Sequence, residues 1–162
     1  MRLTRFTDFG LRVLLYVGRH NGRVCTMGEI AAHHQISLEH LRKVVHKMAR
    51  LGYLKSSRGR GGGLLLGQEA SAIRIGDAIL ALEEDLSIVD CEALDCKLAP
   101  GCSLKGALDR AARAFIASMN EVTLADLIGN ARMRQQFKSI DILVAGRAAD
   151  PQARHLRLAG KS

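Results

Sequence analysis

Ser37-Leu38-Glu39-His40-Leu41-Arg42-Lys43-Val44-Val45-His46-Lys47-Met48-Ala49-Arg50 is the stretch on which the fold turns. Leu41, Val44, Val45 and Met48 recur at i, i+3, i+4 and i+7, which makes one buried face of an α-helix. The other face carries His40, Arg42, Lys43, His46, Lys47 and Arg50. Ser37 stands where a side chain caps the helix start, and Leu51-Gly52-Tyr53 supplies a glycine stop.

The sequence on either side gives this helix its setting. Upstream, Thr26 with Glu29 three residues later forms a capping-box pattern for a short helix ending near His33-His34-Gln35. Before it, Phe6, Phe9, Val13, Tyr16 and Val17 define a first helix, capped by Thr7 or Asp8 and running to about Arg19. His20-Asn21-Gly22-Arg23 reads as the turn between them. Downstream, Tyr53-Leu54-Lys55-Ser56 and Leu64-Leu65-Leu66 pair as short strands around Ser57-Arg58-Gly59-Arg60-Gly61-Gly62-Gly63. Three helices followed by a basic glycine hairpin is the order of a winged helix-turn-helix. The expected fold is therefore mainly α with a small β wing.

In that fold the third helix enters the major groove and the wing approaches the backbone or the minor groove. Ser37, His40, Arg42, Lys43 and Lys47, with Arg58 and Arg60 of the wing, are the candidate contacts to double-stranded DNA. The competing reading is a helical bundle with a solvated basic face. A phosphate-binding loop at Gly59–Gly63 fails on context, because no Gly-Lys-Ser/Thr follows and the next element reads as a strand. His33, His34 and His46 read as ordinary surface or phosphate-contact histidines.

Charge is distributed in blocks. Residues 1–66 carry 12 Lys/Arg against 3 Asp/Glu, residues 67–130 carry 5 against 11, and residues 131–162 carry 7 against 2. The first third suits a polyanion and the middle does not. The chain divides accordingly into a DNA-binding domain over 1–66, a second part over 67–130, and a basic tail over 131–162 that lacks periodicity and is expected to be flexible. In the second part, Ile73-Arg74-Ile75 is extended and Asp77–Glu84 helical, with Glu83-Glu84-Asp85 as a solvated helix end. A long helix follows from about Ser103 to Asn120. Its Leu104, Leu108, Ala111, Phe115 and Met119 form a stripe suited to a helix–helix seam, and Thr123–Leu127 adds a turn or two. No apolar run approaches a membrane span and no secretory signal opens the chain, so a cytoplasmic location is expected. Nucleophile–base pairs, nucleotide fingerprints and paired-carboxylate motifs are missing, so an enzyme is not expected.

Three of the four cysteines lie close together as Cys91-x4-Cys96-x5-Cys102 in an irregular segment. In a reducing compartment clustered thiols point to metal or redox chemistry rather than disulfides. Thiolates are soft ligands, suited to iron–sulfur clusters, zinc or copper(I). The tight pairs typical of structural zinc are missing, and the loop is one ligand short of four. Spacing alone leaves open an iron–sulfur site, zinc, a thiol redox switch, or no site. Cys25, remote from the loop, reads as a small buried residue.

Several segments carry a resemblance: Leu3–Arg12, Arg58–Leu64, Ala70–Asp77, the three cysteines with Pro100-Gly101-Cys102-Ser103-Leu104-Lys105, and Thr123–Leu127. Over roughly residues 1–129 the chain resembles the winged-helix iron–sulfur regulators, and within them the nitric-oxide-sensing, NsrR-type repressors rather than the IscR type. The resemblance implies a homodimer crossing at the long helix, repressing from palindromic operator DNA. It also implies an iron–sulfur cluster, 4Fe-4S favoured and 2Fe-2S possible, held by Cys91, Cys96 and Cys102. Asp8 of the other subunit would be the fourth ligand and nitric oxide the signal. IscR-type relatives place a histidine three residues after the last cysteine, where this chain has Lys105. The rival expectations are a general iron–sulfur or redox-sensing regulator of the same fold, and a zinc-stabilised DNA-binding or adaptor protein.

Overall fold

The computed structural model describes residues 2–57, 62–91, 93–98 and 101–139. Helices α1 (Arg5–Arg19), α2 (Met27–His34) and α3 (Leu38–Arg50) precede an antiparallel hairpin of β1 (Leu54–Ser57) and β2 (Gly63–Leu66). Then come α4 (Ile75–Leu82), α5 (Ser103–Asn120) and α6 (Leu124–Gly129). The mainly helical winged helix-turn-helix with a long following helix is as the sequence predicts.

Local chemistry sets most of the boundaries. Thr26 accepts from the Glu29 amide at 3.2 Å and Ser37 from the His40 amide at 3.3 Å, the two expected caps. Gln35 takes a left-handed conformation (φ 54°) that ends α2, and Gly52 (φ 77°) follows the end of α3. The wing pairs Leu54 with Leu66 and Ser57 with Gly63. Cys25 bridges to Leu64 through two backbone hydrogen bonds and is fully buried, as expected. Two helices differ in extent from expectation. α1 is capped by Thr4, which accepts from the Thr7 amide at 3.3 Å, so the helix starts earlier than a Thr7 or Asp8 cap would allow. α4 begins at Ile75 and stops at Leu82.

α4 has no side-chain cap of its own. The end of α5 supplies one: Asn120 Oδ1 accepts from the Asp77 amide at 2.8 Å, and its Nδ2 donates to Asp77 Oδ1 at 2.9 Å. Gly76 permits this approach, since a Cβ there would lie 2.6 Å from the Ile116 carbonyl oxygen.

One core runs from Val13, Leu14 and Val17 through Ile30, Leu41, Val44 and Met48 to Ile73, Ile79, Leu82 and Leu124. Residue 66 therefore ends the wing without ending the core. The tail also departs from expectation. Residues 131–139 are helical and Phe137 is buried, with its ring 6.0 Å from that of His33 and the Arg19 guanidinium 4.8 Å above it. The remainder of the expected flexible tail lies outside the described residues.

Candidate nucleic-acid interface and cysteine loop

α3 has the two faces its sequence predicts. Leu41, Val44, Val45 and Met48 are buried, and Ser37, His40, Arg42, Lys43 and His46 are exposed. The Ser37 hydroxyl and His40 Nδ1 are 2.8 Å apart, which ties the cap to the first exposed ring. Lys43 pairs with Glu39 at 3.2 Å on the open surface, where such a pair is readily exchanged for phosphate. Lys47 points elsewhere: its Nζ donates to the Leu82 carbonyl at 3.0 Å and lies 5.3 Å from the Phe6 ring. Its amine is directed at α4 rather than out with His40 and Lys43. In the wing, Lys55, Ser56 and Ser57 are exposed, while Arg58 and Arg60 lie outside the described residues.

The histidines at the end of α2 are not surface groups, contrary to expectation. His33 is buried and packs edge-on against Tyr16 at 4.8 Å and against His34 at 4.6 Å. Burial, then the neighbouring His33 and Arg12, push His34 down to about 4, so it is neutral at physiological pH.

Cys91, Cys96 and Cys102 are free thiols, each partly exposed, on the irregular segment between α4 and α5. The Cys96 amide donates to the Cys91 carbonyl at 3.0 Å and closes the loop, and Cys102 sits at the N-cap of α5. The Cys91 thiol is raised by desolvation and by Cys96 and Cys102, and lowered by Lys105, so the three thiols share one electrostatic neighbourhood. Lys105 also pairs with Asp109 at 2.9 Å. Among the described residues no three His, Cys, Asp or Glu side chains converge as a metal site. The donor set nonetheless fits an iron–sulfur cluster by its chemistry, being three accessible soft ligands on one loop. Asp8, the expected fourth ligand, accepts from Arg12 Nε at 3.0 Å, and its side chain is half exposed.

A residue that sequence reasoning misplaced ties the end of α4 to the start of α1. Glu83, expected in a solvated helix end, accepts from the Thr4 amide at 2.9 Å and the Thr4 hydroxyl at 3.0 Å, and also from the Thr7 hydroxyl. The only sequence signal was its position directly after the last apolar residue of α4.

This arrangement has relatives. The Rrf2 family model, described as iron-dependent transcriptional regulator, matches residues 3–130. The chain belongs to the Rrf2 family. It is a transcription regulator and not an enzyme. Among solved structures it is similar to CymR (YrzC), the global cysteine regulator of B. subtilis. That match has 27% identity and a TM-score of 0.65, and covers 80% of this chain and 97% of that one. IscR of T. potens matches in fold at 22% identity with a TM-score of 0.67, covering 81% and 88%. The oxidized form of Staphylococcus aureus CymR does so at 22% identity and 0.66, covering 81% and 98%. Among the described residues no helix is long and apolar enough to cross a membrane.

Proposed function

We propose that this Rrf2 regulator is a cytoplasmic homodimeric repressor of palindromic operators whose affinity depends on an iron–sulfur cluster at Cys91, Cys96 and Cys102. The observation that carries the reading is the set of three free thiols on the loop joining α4 to α5. Asp8, contributed by the second subunit, would be the fourth ligand; its half-exposed carboxylate on α1 is held by Arg12 in this structure. Ser37, His40, Arg42 and Lys43 meet the major groove, and Arg58 and Arg60 meet the backbone or minor groove. An iron–sulfur cluster, 4Fe-4S by preference, supplies reactivity toward nitric oxide. The chain's own part is to tie the loop to α1 while the cluster is whole and to release Asp8 when it is lost.

Anaerobically purified protein is expected to absorb in the visible, to bind a palindromic operator, and to release it on treatment with nitric oxide. Release by oxygen or iron chelation but not by nitric oxide would reassign the signal, and a colourless protein with full operator affinity would remove the cluster. Similarity to a global cysteine regulator supports one other reading, a thiol-based regulator without a cluster. That reading requires colourless protein whose affinity changes on mild thiol oxidation.

A further inference from the structure

The cysteine loop leaves the end of α4, and that end is bonded to both other helices that matter for DNA. Leu82 is the last residue of α4 and is almost fully buried. Its carbonyl, freed by the helix end, accepts the Lys47 ammonium of α3 at 3.0 Å. Glu83 is next, and its carboxylate takes the backbone amide and hydroxyl of Thr4 and the fully buried hydroxyl of Thr7, at the start of α1. Cys91 follows eight residues later. At its other end α4 is held to α5 by the Asn120–Asp77 pair.

We propose that Leu82 and Glu83, with Lys47, Thr4 and Thr7, form a latch through which the conformation of the cysteine loop sets the position of the recognition helix within one subunit. Two helices are gripped by adjacent residues, so a displacement of the chain at Glu83 acts on α1 and α3 together. The Leu82 side chain packs against Gly10 of α1, leaving no room for a Cβ there, so the junction is close-packed as well as hydrogen-bonded. Such a junction moves between discrete arrangements rather than deforming smoothly. Desolvation opposes the charge on Glu83, but the Thr7 and Thr4 hydrogen bonds and the nearby Lys47 outweigh it and hold the carboxyl below its usual range. The latch is therefore ionised at neutral pH. Lys47, Thr4, Thr7 and Glu83 are positioning residues, since none of them need touch DNA or the thiols.

The inference rests on the proposed function only for what occupies the cysteines, and its test is independent of any cluster. In the reduced, cluster-free full-length dimer, the alkylation rates of Cys91, Cys96 and Cys102 by iodoacetamide are measured with operator DNA and with non-operator DNA, each at low salt and at a concentration that fluorescence anisotropy shows to saturate this form, and with neither. Coupling is reciprocal, so a latch that carries the loop's state to α3 also carries operator binding back to the thiols. Wild type is expected to show at least about a fivefold operator-specific change in rate. Thr7→Val, Glu83→Gln and Lys47→Met lose it, and Thr7→Ser keeps it. An unchanged operator effect in Glu83→Gln and Lys47→Met, or none in the wild type, overturns the latch. Should Thr7→Val fail to fold, Glu83→Gln decides, because it keeps size and an acceptor oxygen. Lys47→Met should also leave the salt dependence of operator binding unchanged. A slope shallower by about one would place Lys47 on a phosphate and remove it from the latch. If the thiols respond to operator in wild type yet anaerobic protein holds no cluster, the cluster reading fails and the latch stands.

Discussion

At the scale of single residues the most informative side chain outside the cysteine loop is His34. Its Nε2 is buried and, among the described residues, has no hydrogen-bond partner. Protonation in place is disfavoured, and the native ring titrates at about 4. An unfolded chain takes up that proton near 6.5. Between these values the unfolded state binds more protons, so stability rises with pH across the window. The contribution of neutral His34 is complete above about 6.5 and is lost as pH falls toward 4. Wild-type urea midpoints are expected to drop from pH 7 to pH 5. His34→Gln should flatten that dependence by about one proton, and an identical pH profile in the variant would contradict the assignment. The same corner explains why the histidines were misread. Adjacent histidines after a short helix look like a polar stop, and nothing local reveals that Tyr16 and Phe137 enclose them.

At the scale of elements, α3 is where two kinds of loss separate cleanly. Leu41 is fully buried on the inner face of α3, so Leu41→Ala should destabilise the fold by roughly 2–5 kcal/mol, measured by denaturant titration. Arg42 is exposed on the other face, so Arg42→Ala should leave the denaturation midpoint within about 0.5 kcal/mol of wild type. It should instead weaken operator binding, either with a salt slope shallower by about one if it holds a phosphate, or with relaxed preference at one base pair if it reads a base. Normal affinity, slope and preference would take Arg42 out of the interface. Elements of this kind are legible because period and caps agree, as with Ser37 for α3, Thr26 for α2 and the glycine hairpin of the wing. α1 was less legible at its start because Thr4 and Thr7 are both competent caps, and the choice is made by Glu83, about eighty positions away in sequence. The helix over 131–139 was invisible for a related reason. It is polar apart from Ala131, Met133 and Phe137, and Phe137 has meaning only beside Arg19 and His33. The cysteine triad was readable from spacing and residue type. The Leu82–Glu83 junction was not, because a carboxylate following a helix usually faces water.

At the scale of the whole molecule, the proposed homodimer draws on the open surface of α5. None of its 18 residues is buried. The stripe expected from sequence splits in two. Phe115 and Met119, with Ile116, pack against the chain's own core, whereas Leu104, beside the cysteine loop, is 65% exposed, and Leu108 and Ala111 continue that more open face along the helix away from the loop. An isologous interface brings each residue of such a face against the same surface of the second copy, so a charge placed there is introduced twice. Leu104→Asp with Leu108→Asp should therefore convert the dimer to monomer by native mass. A monomer presents one recognition helix, and the gain from engaging two half-sites about 34 Å apart disappears. Affinity for a palindromic operator should fall about 100-fold or more and approach that for an isolated half-site. The fold should survive, because these side chains contribute little to the core of their own subunit. A variant that stays dimeric and keeps full operator affinity would place the subunit contact elsewhere. In that case the cysteine loop would no longer lie beside the second subunit's α1, and Asp8 would lose its claim to the fourth ligand position.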